Sequence, residues 1–302
     1  LRTGRQPTAP VGATCGPINK SVPFSLPFFP AIINSEGTIV KRDDRMTRNE
    51  FGLAHDERIG LAKAIAGRAA QQLGERLVLA GLGGSVARCL DTPWSDLDMF
   101  FFLRCKGEMG RHFLMRGVAV GYCVEEVETL EEILTHPQER WPFLMGSLEA
   151  LQVLHGEPAQ RERWLEMGRA CPPEAFRLAL HDLLPNMVME SFGRILSASL
   201  RRREEDVNVS GLEVLLEMRT VLCLLNRSWV SHDYIEGIRD SFRFPKLPQD
   251  YQRLAPALWS SRSAEEAIPL ATELVWNYWR LLEEEGFSRE GYARELEQYL
   301  KG

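Results

Sequence analysis

Nowhere in the 302 residues is there an apolar run close to the roughly 20 needed to cross a bilayer, so no membrane-spanning helix is expected. Positive charge is also in short supply. The 36 Lys and Arg against 42 Asp and Glu leave a formal charge of -6, the wrong sign for a chain whose main partner is a nucleic-acid backbone. The six cysteines (Cys15, Cys89, Cys105, Cys123, Cys171, Cys223) fall at no metal-ligand spacing and form no regular framework, which suits reduced thiols and a cytoplasmic location. His55, His112, His136, His155, His181 and His232 lack zinc-like spacing, so isolated surface or core roles are expected of them. A secretory pattern is missing too, because residues 22–30 are short and broken by Pro23, Pro27 and Pro30. What remains is ordinary globular composition, 44% hydrophobic and 26% charged, with enough chain for two domains of roughly 100 to 200 residues each. The acidic surplus would suit a cationic small substrate.

Along the chain, residues 1–45 carry Pro7, Pro10, Pro17, Pro23, Pro27 and Pro30 without an amphipathic period, and are expected to be an irregular extension. The first residue is Leu rather than Met, which fits a processed product or a piece of something longer. An arm docking Phe24, Phe28 and Phe29 elsewhere is the alternative to a loose extension. Further on, Ile59, Leu61, Ala62, Ile65, Ala66, Ala69 and Leu73 recur at helical spacing up to Gly74, a natural helix stop. Residues 77–80 then read as a buried strand, 81–85 as a Gly-rich turn, 86–90 as a short helix, and 97–103, rich in Phe, as a second strand. Val118, Val120, Tyr122 and Val124 alternate as a third, with Ala119, Gly121, Cys123 and Glu125 on its other face. From Leu130 the pattern is helical, notably over 173–189 continuing through 200, 212–229, 264–285 and 289–300. Trp276, Tyr278 and Trp279 fit a packed helix face, and Arg201-Arg202-Arg203 against Glu204-Glu205-Asp206 fits a solvated helix end. The expected fold class is α+β: a mixed-sheet domain over 46–150 followed by a helical domain over 151–302.

The chemistry concentrates between the first two strands. Asp96 and Asp98 are one residue apart, and on a strand residues i and i+2 share a face, so the two carboxylates can hold the same magnesium. Paired acids at the mouth of a buried aromatic strand are costly unless a cation compensates them. Upstream, Gly84 lets backbone approach a phosphate, Ser85 offers a hydroxyl and an amide, and Arg88 stands one turn further on. Gly-Gly-Ser alone is commonly a turn, and Asp-x-Asp alone a solvated strand edge. Together, at this spacing, they point to transfer of a phosphorus group, which needs triphosphate charge neutralised and the reacting oxygens held in line.

The segments Gly84-Ser85-Val86-Ala87-Arg88 and Asp91-Thr92-Pro93-Trp94-Ser95-Asp96-Leu97-Asp98-Met99 resemble the motif of the polymerase-beta-like nucleotidyltransferases. More narrowly, the chain is similar to the kanamycin nucleotidyltransferase-like aminoglycoside 4'-O-nucleotidyltransferases over roughly residues 46–300. Met46-Thr47-Arg48 resembles the start of that family's first helix. The resemblance implies Mg2+ as cofactor and a nucleoside triphosphate, ATP first, as co-substrate at Gly84, Ser85, Arg88 and Ser95. It makes Asp96, Asp98 and Glu125 the metal carboxylates, with Glu126 and Glu128 as rival choices because strand register is open. Glu190 and Arg194 match a segment holding a catalytic glutamate and a cation four residues later, so Glu190 is implied to deprotonate the acceptor while Arg194 binds phosphate. Arg replaces the family's Lys at 194, which alters reach and hydrogen-bond geometry, and residues 226–232 also differ. The implied acceptor is an aminoglycoside, held by acids such as Glu125, Glu126 and Glu190, in a homodimer whose cleft a second subunit completes. Two rival functions are transfer to another small hydroxylated molecule such as a lincosamide, and a regulatory or toxin–antitoxin-type protein acting on a protein partner.

Overall fold

The structure is a computed structural model that describes residues 31–33, 39–41, 52–105, 112–232 and 234–301. Phe24, Phe28, Phe29 and Met46-Thr47-Arg48 lie outside the described residues. By their contacts residues 1–44 and 45–302 form separate units. In the first, β1 (Ala31–Ile33) and β2 (Ile39–Lys41) pair antiparallel with Ala31 opposite Lys41, so the extension expected to be irregular contains a small two-stranded sheet.

The second unit is α+β. It opens with α1 (His55–Leu73), whose Leu61, Ala62, Ile65, Ala66 and Ala69 are buried at the predicted spacing; the helix stops where Gly74 takes a φ of 54°. Next come β3 (Leu77–Leu82), the short helix α2 (Gly84–Ala87), β4 (Leu97–Leu103), β5 (Phe113–Met115) and β6 (Val118–Glu126). They are followed by α3 (Val127–Thr135), α4 (Trp141–Ala150), and β7 (Gln152–Gly156). The rest is helical: α5 (Pro158–Arg169), α6 (Pro173–Leu183), α7 (Met189–Leu200), α8 (Glu204–Leu225), α9 (Tyr234–Ser241), α10 (Tyr251–Ser260), α11 (Ala264–Glu284) and α12 (Arg289–Lys301). The five-stranded sheet has the order β5-β6-β4-β3-β7, with β4 and β6 parallel and the remaining pairs antiparallel.

One hydrophobic core runs from Leu79 in β3 to Phe287 beyond α11. Phe102 of β4 meets Trp164 of α5 at 4.9 Å between ring centroids, and Trp141 of α4 meets Phe176 of α6 edge-on at 4.8 Å. These contacts tie the sheet to helices on both sides of residue 150, and β7, just past that point, pairs with β3. Two strands escaped the sequence pattern. Only three and five residues long, β5 and β7 present mostly exposed or half-buried side chains, so neither carries an apolar signal. The helix predicted over 173–200 is broken into α6 and α7, because Pro185 lacks an N–H to continue it and Val188 adopts a φ of 71°. Glu217 of α8 accepts the freed Val188 N–H at 2.7 Å. Among the described residues no helix is long and apolar enough to cross a membrane.

Candidate active site

Asp98 is the one half-buried residue in β4, whose other six positions are buried. Its position is set by the turn between β3 and α2. The Gly83 N–H donates to the Asp98 carbonyl at 2.8 Å, and Gly84, at a φ of 62°, brings its backbone over the Asp98 carboxylate. A Cβ at Gly84 would lie 2.1 Å from Asp98 Oδ2, and one at Gly83 would lie 2.4 Å from the Phe100 ring. Glycine is therefore required twice, once for close approach to the carboxylate and once for packing on the strand.

Asp98 opens into a cleft of about 330 Å³ between the sheet, α4, α8 and the loop after α8. Gly84 and Arg88 line it from the turn, Arg219 from α8, and Ser231 and His232 from the loop. Arg88 donates to the Ser231 carbonyl, yet its Nε is buried without a partner among the described residues, as is Arg219 Nη1. Two guanidinium groups on the walls of a cleft that Asp98 also lines form a place where an anion and its counter-cation can both be held. Cys123 also lines the cleft but does not supply a nucleophile. Burial first, then the neighbouring Glu125 charge, pushes its thiol up to about 12, and it donates to Glu125 Oε1 at 3.4 Å.

The remaining predicted residues are distributed more widely. Ser85 sits half-buried in α2, next to the cleft-lining Gly84. Asp96 lies exposed in the loop just before β4, outside the strand that was expected to carry it. The Ser95 hydroxyl closes a local turn by accepting from Thr92 N–H at 2.9 Å, so it shapes the loop rather than presenting itself to a nucleotide. Glu125 as a third metal carboxylate beside Asp98 is corrected by the register. Asp98 is opposite Gly121 and Phe102 is opposite Glu125, a separation of four strand residues or roughly 13 Å along the backbone. Glu125 is instead buried against Arg140. Glu126 belongs to the opposite face of β6, and Glu128 lines a separate groove along α3 with Glu131 and Glu132. Glu190 and Arg194 are paired on the exposed face of α7 at 2.5 Å, with Arg194 also bound to Glu213 at 3.0 Å. No residue of α7 lines the cleft, so the two are not brought to Asp98 within this chain.

Two contributors were not singled out from the sequence. Arg58 in α1 is fully buried and clamps the loop ahead of β4: Nε donates to Ser95 O at 3.1 Å, Nη2 to Pro93 O at 2.6 Å, and Nη1 to Leu53 O and to Asp91 Oδ2. Its signal was available, since position 58 falls on the apolar face that continues through Leu61, Ala62 and Ile65. His232 was read as an isolated histidine; only the fold brings it to the cleft.

No protein-family model matches the chain, and no curated protein matches it. Among solved structures it is similar to a nucleotidyltransferase-like protein from Exiguobacterium sibiricum 255-15, with 13% identity and a TM-score of 0.43 over 74% of this chain and 75% of that one. A likeness of that size carries no argument about the reaction, which rests on the site itself.

Proposed function

We propose that the chain transfers a nucleoside monophosphate from a nucleoside triphosphate, ATP first, to a hydroxyl of a small acceptor, releasing pyrophosphate. The observation that carries this reading is the shared cleft: Asp98 under the Gly84 backbone, with Arg88 and Arg219 on the same walls. Arg88 and Arg219 would bind triphosphate oxygens, and Ser85 would add a hydroxyl at the turn. Asp96 and Asp98 would hold Mg2+. Two carboxylates suit this ion when substrate phosphates complete its shell. When bound, the metal would offset phosphate charge during transfer. Residues of the chain would orient the triphosphate along the Asp98 side of the cleft and admit the acceptor from the α4 side, where Phe143 is 44% exposed.

An aminoglycoside with a free 4'-hydroxyl is the acceptor to try first, in keeping with the motif resemblance and the formal charge of -6. On that reading the product is an inactivated antibiotic. For Glu190 to act as base, a second copy would have to carry α7 to the cleft, which makes a homodimer part of the proposal; light scattering of the full chain tests it. The test of the reaction is incubation with labelled ATP, Mg2+ and a panel of an aminoglycoside, a lincosamide and protein. Labelled aminoglycoside supports the first choice, and labelled lincosamide keeps the chemistry while replacing the acceptor. One observation favours a second reading: Gly121, not a carboxylate, faces Asp98 across the sheet. A nucleotide-binding regulator would accordingly bind ATP and yield no small-molecule product.

A further inference from the structure

His232 and Asp240 form a fixed pair at the edge of the cleft. Nδ1 of His232 lies 2.8 Å from Asp240 Oδ2, and the same oxygen accepts the Ser231 N–H at 3.1 Å. The loop is held from two further sides. Arg88 donates to the Ser231 carbonyl, and α9 approaches so closely that a Cβ at Gly237 would lie 2.2 Å from the His232 carbonyl oxygen. With Nδ1–H donated to the carboxylate, Nε2 carries the lone pair, and among the described residues it has no partner. His232 lines the same cleft as Asp98 and Arg88. An Asp–His pair on an open surface would have no such neighbour. His112, the other histidine of the cleft, is exposed and has no orienting carboxylate among the described residues.

We infer that His232, oriented by Asp240, is the general base that activates the acceptor hydroxyl, a role that rests on the nucleotidyl-transfer reading above. Nε2 takes the hydroxyl proton as that oxygen bonds to the α-phosphorus. The bond from the α-phosphorus to its bridging oxygen breaks, and the electron pair leaves with pyrophosphate. The imidazolium is stabilised by Asp240 and later releases the proton to solvent. The base thus comes from the same chain as Asp98, and α7 of a second copy is not required for it. Asp240 on α9 touches the ring, and the charged and titratable groups that share the cleft with His232 are Arg88, Asp98, His112, Tyr122, Cys123, Glu139, Arg219 and Cys223.

The test uses the full chain carrying His232→Ala, His232→Gln or Asp240→Asn, measured for binding of a fluorescent ATP analogue with Mg2+ and for transfer to whichever acceptor the wild type labels. For His232→Ala the expected result is unchanged nucleotide binding, a loss of transfer of about 10²- to 10⁴-fold, and disappearance of the acidic limb of kcat/KM against pH. Added imidazole should restore part of the rate to that variant, which a structural role would not allow. His232→Gln should show the same loss with an unchanged melting temperature, and Asp240→Asn should fall between it and the wild type. Transfer and acidic limb unchanged in both His232 variants would overturn the proposal and leave nucleotidyl transfer standing. So would a limb that vanishes in His112→Gln or Glu190→Gln instead, or loss of nucleotide binding in both His232 variants. A wild type that labels no acceptor would overturn the parent reading and this one together.

Discussion

Asp98 and Glu125 lie on neighbouring parallel strands with their side chains on one face of the sheet, yet their surroundings have little in common. Asp98 is covered by the Gly84 backbone and faces a cleft with two guanidinium groups, whereas Glu125, four residues further along, is closed off by Arg140. Both are acids at the mouth or end of an apolar strand, and both were expected to hold one metal. The difference is one of surroundings: Glu125 is answered by Arg140 within the fold, whereas Asp98 stands at a cleft that Arg88 and Arg219 also line.

The comparison can be broken most sharply at its functional end. Asp98→Asn is expected to lower transfer by about 10³-fold with the unfolding midpoint retained, measured by product formation and denaturant titration. Undiminished turnover would place the chemistry elsewhere. Arg58→Met tests the support beneath the same loop. Removing one member of the buried Arg58–Asp91 pair and freeing three carbonyl contacts should cost about 3 kcal/mol in urea unfolding. A loss under ~1 kcal/mol would show that the loop holds itself. Gly84→Ala forces a Cβ against Asp98 Oδ2 and is expected to reduce transfer about 10²-fold while fold stability falls less. Glu125→Gln, at the other end of the comparison, should leave transfer within a few-fold and lower stability by about 1 kcal/mol, a value kept small because Arg140 is 47% exposed. A collapse of transfer there would restore Glu125 to the site. Smallest of all, Glu190→Gln should change neither the unfolding midpoint nor transfer by a monomer. A selective loss of transfer in a dimer would show α7 of a second copy entering the cleft.

Much of the scaffold was legible because periodic burial leaves a strong trace. The Leu61-to-Ala69 stripe with its Gly74 stop and the aromatic strand at 97–103 stand where spacing and composition placed them, whereas the turn expected over 81–85 is shorter, because β3 runs to Leu82 and α2 spans Gly84–Ala87 rather than 86–90. The candidate site was legible in part. Asp98, Gly84 and Arg88 come together as expected, since strand and turn are local structures whose geometry follows from a dozen or so consecutive residues. Glu125, Ser95 and the Glu190–Arg194 pair do not join them. Ser95 is spent on its own turn, and a helix-surface pair at i and i+4 looks the same in sequence whether it faces a substrate or water.

By itself, then, the sequence determined the class of fold, the turn that covers Asp98 and the residue types available for binding a phosphate. Only the tertiary structure decided which acid faces which neighbour. The β4–β6 register sets Gly121 rather than Glu125 beside Asp98, and a shift of pairing is invisible in a pattern that repeats every two residues. It also decided that His232, 134 residues beyond Asp98 in the chain, lines the same cleft with its ring held by Asp240. Long-range packing of α8 against α4 and of α9 against α8 makes that meeting, and nothing in the local spacing of six scattered histidines records it.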